Sequence, residues 1–291
     1  MPNTVLIEVE VLKKDDITIP KTVSGKDFTV ALKSDGTVWT WGYNGYGQLG
    51  VGDKTNRYKP TKINIENVVD ISAGYNHTLL VTKDGKIYSF GSNSYGQLGR
   101  SENTLLPKEI PNLENIEKVS AGAYHSMAIG KDGSVYTWGY NGNGQLGNGT
   151  TTSNSEPSKI RLTNITKIES GEQISTAIDG DGNLYAWGYN YYGQLGNETT
   201  TNVYLPRKVL TLENIVDVAA EKETIIAVNK QGEVYASGYN GYGNLGNNTK
   251  QNSTKFEKVI EKINTTTTET GTTETPTYLT GVKSVTAGLN Y

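Results

Sequence analysis

Residues 45–50 read GYGQLG and match G-x-G-x-x-G, a pattern whose glycines let a strand turn into a helix and let backbone approach a pyrophosphate. The hexapeptide recurs as GNGQLG at 142–147 and GYGNLG at 241–246, while SYGQLG at 94–99 and YYGQLG at 191–196 lack only the first glycine. Each copy runs on into polar, turn-like sequence, such as VGDKTNRYKP after Gly50 and NGTTTSNSEP after Gly147, where a dinucleotide site requires an amphipathic helix. The cofactor reading is therefore rejected, and no cofactor is expected.

The remaining chemistry-bearing types are equally unpromising for catalysis. His77 and His125 hold equivalent places, with Phe28, Ile174 and Thr224 at the same position elsewhere, so the site tolerates apolar residues and reads as structural. Two histidines this far apart with no third ligand make a poor zinc site, and no metal is expected. DGDGN at 179–183 resembles the start of an EF-hand loop, but Leu184 stands where glycine is needed and Asn190 where the bidentate Glu belongs. A hairpin turn explains it better. No serine lies in G-x-S-x-G, and a Ser-His-Asp triad has no support.

The elements that would position these residues follow from a repeat. The central glycines of the five copies, Gly47, Gly96, Gly144, Gly193 and Gly243, are spaced by 49, 48, 49 and 50 residues. A second marker, Gly36, Gly85, Gly133, Gly182 and Gly232, sits eleven residues before each. Between the markers, short segments rich in β-branched residues (FTVAL, HTLLV, HSMAI, ISTAI, TIIAV) end at SDG, KDG, KDG, GDG and KQG, the chemistry of a β-hairpin turn. The return strands TVWTW, KIYSF, SVYTW, NLYAW and EVYAS are largely apolar on both faces. A sheet with two apolar faces must be covered twice, and without an amphipathic helix, sheet must pack on sheet. The expected fold is an all-β propeller of about 49-residue blades, each of three to four antiparallel strands, with five full units and partial ones at the ends.

Composition narrows the function. The 291 residues carry a net charge of −3 with both signs scattered and no basic arm, which argues against nucleic acid as a partner. No stretch approaches 18 consecutive apolar residues, so no membrane span is expected, and the N-terminal MPNTVLIEVEVLKKDD lacks the layout of a signal peptide. Cysteine is absent, which excludes disulfides and thiolate chemistry without fixing a compartment. The sequons at Asn148, Asn197 and Asn264 arise by composition in so Asn- and Thr-rich a chain.

The stretches SAGYNHTLLVTKDGKIYSFGSNSYGQLG (72–99) and SAGAYHSMAIGKDGSVYTWGYNGNGQLG (120–147) closely resemble the repeat of the regulator of chromosome condensation family, through A-G-x-x-H-[ST], D-G, W-G-x-N and G-Q-L-G. The resemblance covers roughly residues 22–291 and implies a propeller, usually seven-bladed, working as a protein-binding platform. Within this repeat class a relative inhibits β-lactamases through an aromatic rim. Guanine nucleotide exchange on a small GTPase is the alternative the family offers.

The units fall at about 22–70, 71–118, 119–167, 168–216 and 217–281, with a partial unit at 282–291. Units four and five lose the histidine, and Ser237 replaces the Trp or Phe of the others. NTTTTETGTTETPT at 264–277 is expected to be an exposed flexible loop. For the ends there are two readings: the chain is part of a longer array, which is the expectation, or residues 1–21 complete a sixth blade.

Surface is what remains for function. Tyr43, Tyr140, Tyr189 and Tyr239 follow the W-G or S-G step, and Tyr46, Tyr95, Tyr192 and Tyr242 precede the G-Q-L-G or G-N-L-G. In a propeller these turns recur at one rim, so the eight rings are expected to gather there as anchors for another protein. The alternative is that each merely covers a neighbouring blade's edge. The expected function is a non-enzymatic scaffold, a bacterial surface or secreted module. An enzyme with a site in the central channel would require clustered carboxylates of shifted pKa there.

Overall fold

The computed structural model describes residues 18–268 and 271–287. Its core is five four-stranded antiparallel sheets in chain order, each joined only to sequence neighbours. The first blade comprises β1 (Lys21–Ser24), β2 (Phe28–Leu32), β3 (Val38–Gly42) and β4 (Arg57–Lys62). The second comprises β5 (Val68–Ala73), β6 (His77–Thr82), β7 (Ile87–Gly91) and β8 (Thr104–Glu109), and the third β9 (Ile116–Ala121), β10 (His125–Gly130), β11 (Val135–Gly139) and β12 (Asn154–Lys159). The fourth is β13 (Ile165–Ser170), β14 (Ile174–Asp179), β15 (Leu184–Gly188) and β16 (Val203–Lys208), and the fifth β17 (Ile215–Ala220), β18 (Thr224–Asn229), β19 (Val234–Gly238) and β20 (Ser253–Lys258). No helix among the described residues is long and apolar enough to cross a membrane.

The apolar alternation puts the core between blades. One cluster joins blades one and two (Phe28, Val30, Val38 with Ile71, Leu80, Phe90), and equivalents join each following pair. Trp138 and Trp187 are fully buried in these seams, and each such side chain contributes on the order of 2–3 kcal/mol.

The turns set the blade order. Gly36, Gly85, Gly133, Gly182 and Gly232 all take positive φ in the D-G or Q-G hairpins. The carbonyl of each then receives the first N–H of the next inner strand: Val68 to Gly36 at 3.1 Å, Ile116 to Gly85 at 3.0 Å, Ile165 to Gly133 at 3.2 Å and Ile215 to Gly182 at 2.9 Å. Val282 docks on Gly232 in the same way at 3.2 Å, so residues 282–287 run where a following inner strand would lie.

The fourth strand of each of the first four blades comes from the Pro-containing stretch, whereas β20 of the fifth has no proline. Pro60, Pro107, Pro157 and Pro206 sit on the outermost strands β4, β8, β12 and β16, where an edge position demands no ladder N–H from proline.

Residues 264–277 depart from expectation. They are exposed where described, but they form an antiparallel ribbon, β21 (Ile260–Thr268) with β22 (Gly271–Tyr278), rather than an irregular loop. Run after run of threonine lacks hydrophobic patterning yet is β-branched, and that stiffness favours extended backbone. The alternative reading, in which residues 1–21 complete a sixth blade, falls for 1–17 outside the described residues, while Lys21 opens β1 of the first blade.

Candidate protein-docking rim and channel mouth

The G-x-G-x-x-G loops are closed from within. In the first, Tyr46 N–H donates to Gln48 Oε1 (3.0 Å), Gly47 N–H to the Asn44 carbonyl (2.9 Å), Leu49 N–H to Asn44 Oδ1 (3.0 Å) and Gly50 N–H to the Gly47 carbonyl (3.0 Å). The donors a pyrophosphate would need are thus already committed. Asn93, Asn141, Asn190 and Asn240 accept from Leu98, Leu146, Leu195 and Leu245 in the same manner.

Two glycines of the motif have separate jobs. At Gly47, Gly96, Gly144 and Gly193, all at positive φ, a Cβ would strike Leu105, Ser155, Tyr204 and Thr254, each on the outer strand of the next blade. At Gly45, Gly142 and Gly241 a Cβ would instead meet the hydroxyl of Tyr43, Tyr140 or Tyr239 at 2.1, 2.1 and 2.2 Å, so this glycine makes room for the loop's own tyrosine. The second loop has Ser92 in place of that tyrosine and Ser94 in place of the glycine. In the fourth loop Tyr191 takes the glycine's place, and its ring stacks on Tyr189 at 6.5 Å.

These loops and the turns that follow the inner strands meet at one end of the propeller, and the tyrosines touch in runs. Tyr43 meets Tyr46 at 6.2 Å. Tyr75, Tyr124, Tyr95 and Tyr140 form a chain with centroid separations of 5.5, 5.2 and 5.0 Å. Tyr189, Tyr191, Tyr192, Tyr239 and Tyr242 form another, with Tyr191 to Tyr192 at 5.0 Å, Tyr192 to Tyr239 at 5.1 Å and Tyr239 to Tyr242 at 6.1 Å. Of the eight sequence candidates, Tyr43, Tyr46, Tyr95 and Tyr242 are exposed, and Tyr140, Tyr189, Tyr192 and Tyr239 are half-buried between neighbours. Sequence reasoning missed Tyr75, Tyr124 and Tyr191. The first two stand in the turn before each histidine, and their position ahead of His77 and His125 was the available signal.

The histidines belong to the seams. His77 Nε2 lies 3.0 Å from Ser126 Oγ and His125 Nε2 lies 2.9 Å from Ser175 Oγ, each serine on the next blade. Both rings are fully buried, and burial pushes their pKa down to about 3. DGDGN is a hairpin turn: Asp179 Oδ1 accepts from the Asp181 and Asn183 N–H groups at 3.0 and 2.9 Å.

Beneath the tyrosines the inner strands line a channel of about 1120 Å³. One register layer carries Lys21, Asp70, Lys118, Lys167 and Asp217, and it staples blades together. Asp70 pairs with Lys21 of the preceding blade (2.8 Å) and accepts from Val119 N–H of the following one (3.0 Å). Asp217 does the same with Lys167 and with Val285 N–H (2.9 Å).

Nearer the mouth lie two carboxyl groups that composition alone did not disclose. Burial, opposed by Lys167 and Lys21, leaves Glu169 pushed up to about 7. Burial, with repulsion from Glu169 and Glu172, pushes Glu221 up to about 7 as well. Two carboxyl groups of raised pKa in the channel are the feature named above for an enzyme with a site there, and such values suit proton exchange near neutrality. Tyr75 is part of the same mouth: burial together with nearby Glu172 and Glu221 raises its pKa. Around this opening Gly25, Gly74, Gly122 and Gly171 each abut a carbonyl of the next blade, such that a Cβ would lie 2.3–2.7 Å from it, and in the fifth blade the equivalent residue is Glu221.

The architecture is similar to that of solved propellers. Prp20p from Saccharomyces cerevisiae superposes with a TM-score of 0.74 at 23% identity, covering 82% of this chain and 64% of that one. Human WBSCR16 gives a TM-score of 0.73 at 24% identity, over 86% of this chain and 71% of the other. At such identities the likeness is one of fold. The ultraviolet-B receptor UVR8 of Arabidopsis thaliana is 32% identical over 75 residues, which is 25% of this chain and 17% of the receptor. The chain thus matches less than two thirds of the length of UVR8 and of Prp20p. The RCC1-like domain model matches residues 2–290, nearly every residue of the repeat array described above, and the chain belongs to that family.

Proposed function

We propose that this propeller is a docking platform for another protein, acting through the tyrosine-bearing end and without covalent chemistry of its own. The observation that carries this reading is the chain of touching rings from Tyr75 through Tyr140 and from Tyr189 through Tyr242, anchored on closed, hydrogen-bonded loops. Rigid aromatics with polar tips contribute contact area at low entropic cost, which is why they recur as interface anchors. The solved relative Prp20p is described by its binding to Gsp1p and histones, which accords with a protein-binding role for this fold.

The test compares the wild-type chain with a Tyr95→Ser, Tyr192→Ser, Tyr242→Ser triple variant and with Tyr58→Ser, an exposed residue on the outer strand β4. A partner retained by wild type and Tyr58→Ser but lost by the triple variant supports the reading. Equal retention by all three overturns it.

The family and the Prp20p-like fold also favour a second reading, guanine nucleotide exchange on a small GTPase. Unaltered nucleotide release from a panel of GTPases at saturating propeller removes it. We also propose that the protein is a bacterial surface or secreted module, on the strength of its cysteine-free, Asn- and Thr-rich loops. Finding the native product in the cytosol alone would remove that placement.

A further inference from the structure

We propose that the tyrosine rim binds a proline-rich segment of the partner in the polyproline II conformation, the rings lying against its prolines and the phenol hydroxyls donating to its carbonyls. This rests on the docking reading above and names the chemistry of the ligand.

The acceptors of the rim are already engaged. In every loop, from Asn44 in the first blade to Asn240 in the fifth, the asparagine carbonyl takes the N–H of the central glycine at 2.9–3.1 Å. The Oε1 atoms of Gln48, Gln97, Gln145 and Gln194 take a backbone N–H two residues earlier at 2.9–3.0 Å. The turns before the second strands follow suit, with the carbonyls of Tyr124 and Gln173 receiving the N–H groups of Tyr140 and Tyr189 at 2.9 and 3.0 Å.

The donors of the rim are not engaged. Among the described residues the hydroxyls of Tyr95, Tyr140, Tyr192 and Tyr239 have no hydrogen-bond partner. Elsewhere the same group is tied inward, Tyr185 to Asp179 at 3.2 Å and Tyr235 to Glu233 at 2.8 Å. Phenylalanine would pack equally well in the chains of rings, yet all three phenylalanines, Phe28, Phe90 and Phe256, are buried in the seams. The rim thus keeps hydroxyls that the fold does not use.

This imbalance of donors over acceptors selects among ligands. An ordinary extended strand brings an N–H with every carbonyl and requires acceptors in return, and a helix has its carbonyls bonded internally. A proline-rich segment brings carbonyls without N–H groups, on a backbone already ordered before binding. Aromatic-lined surfaces are the usual seat of such segments. Here the rings from Tyr75 to Tyr140 and from Tyr191 to Tyr242 are 5.0–6.1 Å apart and tilted by 59–88°, so neighbouring rings meet edge to face rather than sealing into a stack.

The experiment uses the full chain and a fluorescent deca-proline peptide, with a Gly-Ser decapeptide and cellohexaose for comparison. A Tyr95→Phe, Tyr192→Phe double variant keeps both rings and removes only hydroxyls without a partner in the fold, and Tyr58→Phe on the outer strand β4 serves as a control. Expected is saturable deca-proline binding, weakened about fivefold or more by the double variant, as for loss of a hydrogen bond, and unchanged by Tyr58→Phe. The Gly-Ser peptide and cellohexaose are expected to bind at least several-fold more weakly. Absence of deca-proline binding, full affinity in the double variant, or tighter binding of cellohexaose overturns the proposal. Tyrosine-dependent capture of a partner by a chain that ignores deca-proline would leave the docking reading standing and remove this one alone.

Discussion

His77 of the second blade and Ser126 of the third are joined across 49 positions of sequence by a 3.0 Å hydrogen bond. Ser126 Oγ also lies 2.8 Å from the Gln97 carbonyl, to which it must donate, so it accepts from His77 and the proton sits on Nε2. His125 and Ser175 repeat the arrangement with the Gln145 carbonyl. Each histidine is therefore a neutral donor inside a blade seam.

Acid sensitivity follows. A folded pKa of about 3 lies below the ordinary histidine value of about 6.5, so the unfolded chain binds the proton first. The contribution to stability is complete above about pH 6.5 and falls on acidification down to about pH 3, by about 1.4 kcal/mol per pH unit per histidine. Replacing His77 by phenylalanine, the residue of the first blade at this place, is expected to narrow the stability lost between pH 7 and pH 4.5. Denaturant midpoints at the two pH values check it; a loss as large as that of wild type would contradict the assignment.

The motif's glycines should respond unequally to a methyl group. At Gly96, with φ of 80°, a Cβ would lie 2.5 Å from the Ser155 Cα, and backbone cannot step aside. Gly96→Ala is expected to cost about 2 kcal/mol or more through strain and a wedged seam. Gly45→Ala meets only the movable end of Tyr43, a clash the fourth loop already accommodates by holding Tyr191 beside Tyr189. Its expected cost is below about 0.5 kcal/mol, measurable by urea unfolding, with a change in tyrosine fluorescence from the rim.

The departure at Ser237 is a repair. In the third and fourth blades, the Gln97 and Gln145 carbonyls each receive a serine hydroxyl and a tryptophan N–H, from Ser126 with Trp138 and from Ser175 with Trp187. The fifth blade has Ile225 at the serine position, and Ser237, at the tryptophan position, donates to the Gln194 carbonyl at 2.7 Å. Ser237→Ala should cost about 1–3 kcal/mol by stranding a buried acceptor. Retention of the wild-type melting temperature would show that this bond does not matter.

Much of this was legible in one chain because each blade repeats the same solution. The period, the hairpins and the packing of sheet on sheet all follow from aligned glycines and from strands apolar on both faces. The phase of the blades was less visible: NVVDISAG reads as the close of one unit but forms the innermost strand of the next, because its partners are the hairpin that follows it. Eight tyrosines could be placed by their adjacency to the loop motif. Tyr124 of the third blade meets Tyr75 and Tyr95 of the second only across a blade boundary, a proximity that no local pattern encodes. Glu221 was legible as an exception, since glycine holds its place four times, but its carboxylate neighbours come from another blade.

Glu221 should also oppose folding. Its pKa of about 7 stands above the ordinary glutamate value because burial and the carboxylates of Glu169 and Glu172 disfavour its charge. A raised carboxyl pKa means that the folded chain holds the proton more tightly than the unfolded one. The penalty is then present above about pH 7 and vanishes as pH falls toward the unfolded value near 4.3. Glu221→Gly should raise the denaturant midpoint at pH 8, and the gain should shrink steadily to little by about pH 5. A variant no more stable than wild type at pH 8 would place Glu221 outside the influence of Glu169 and Glu172.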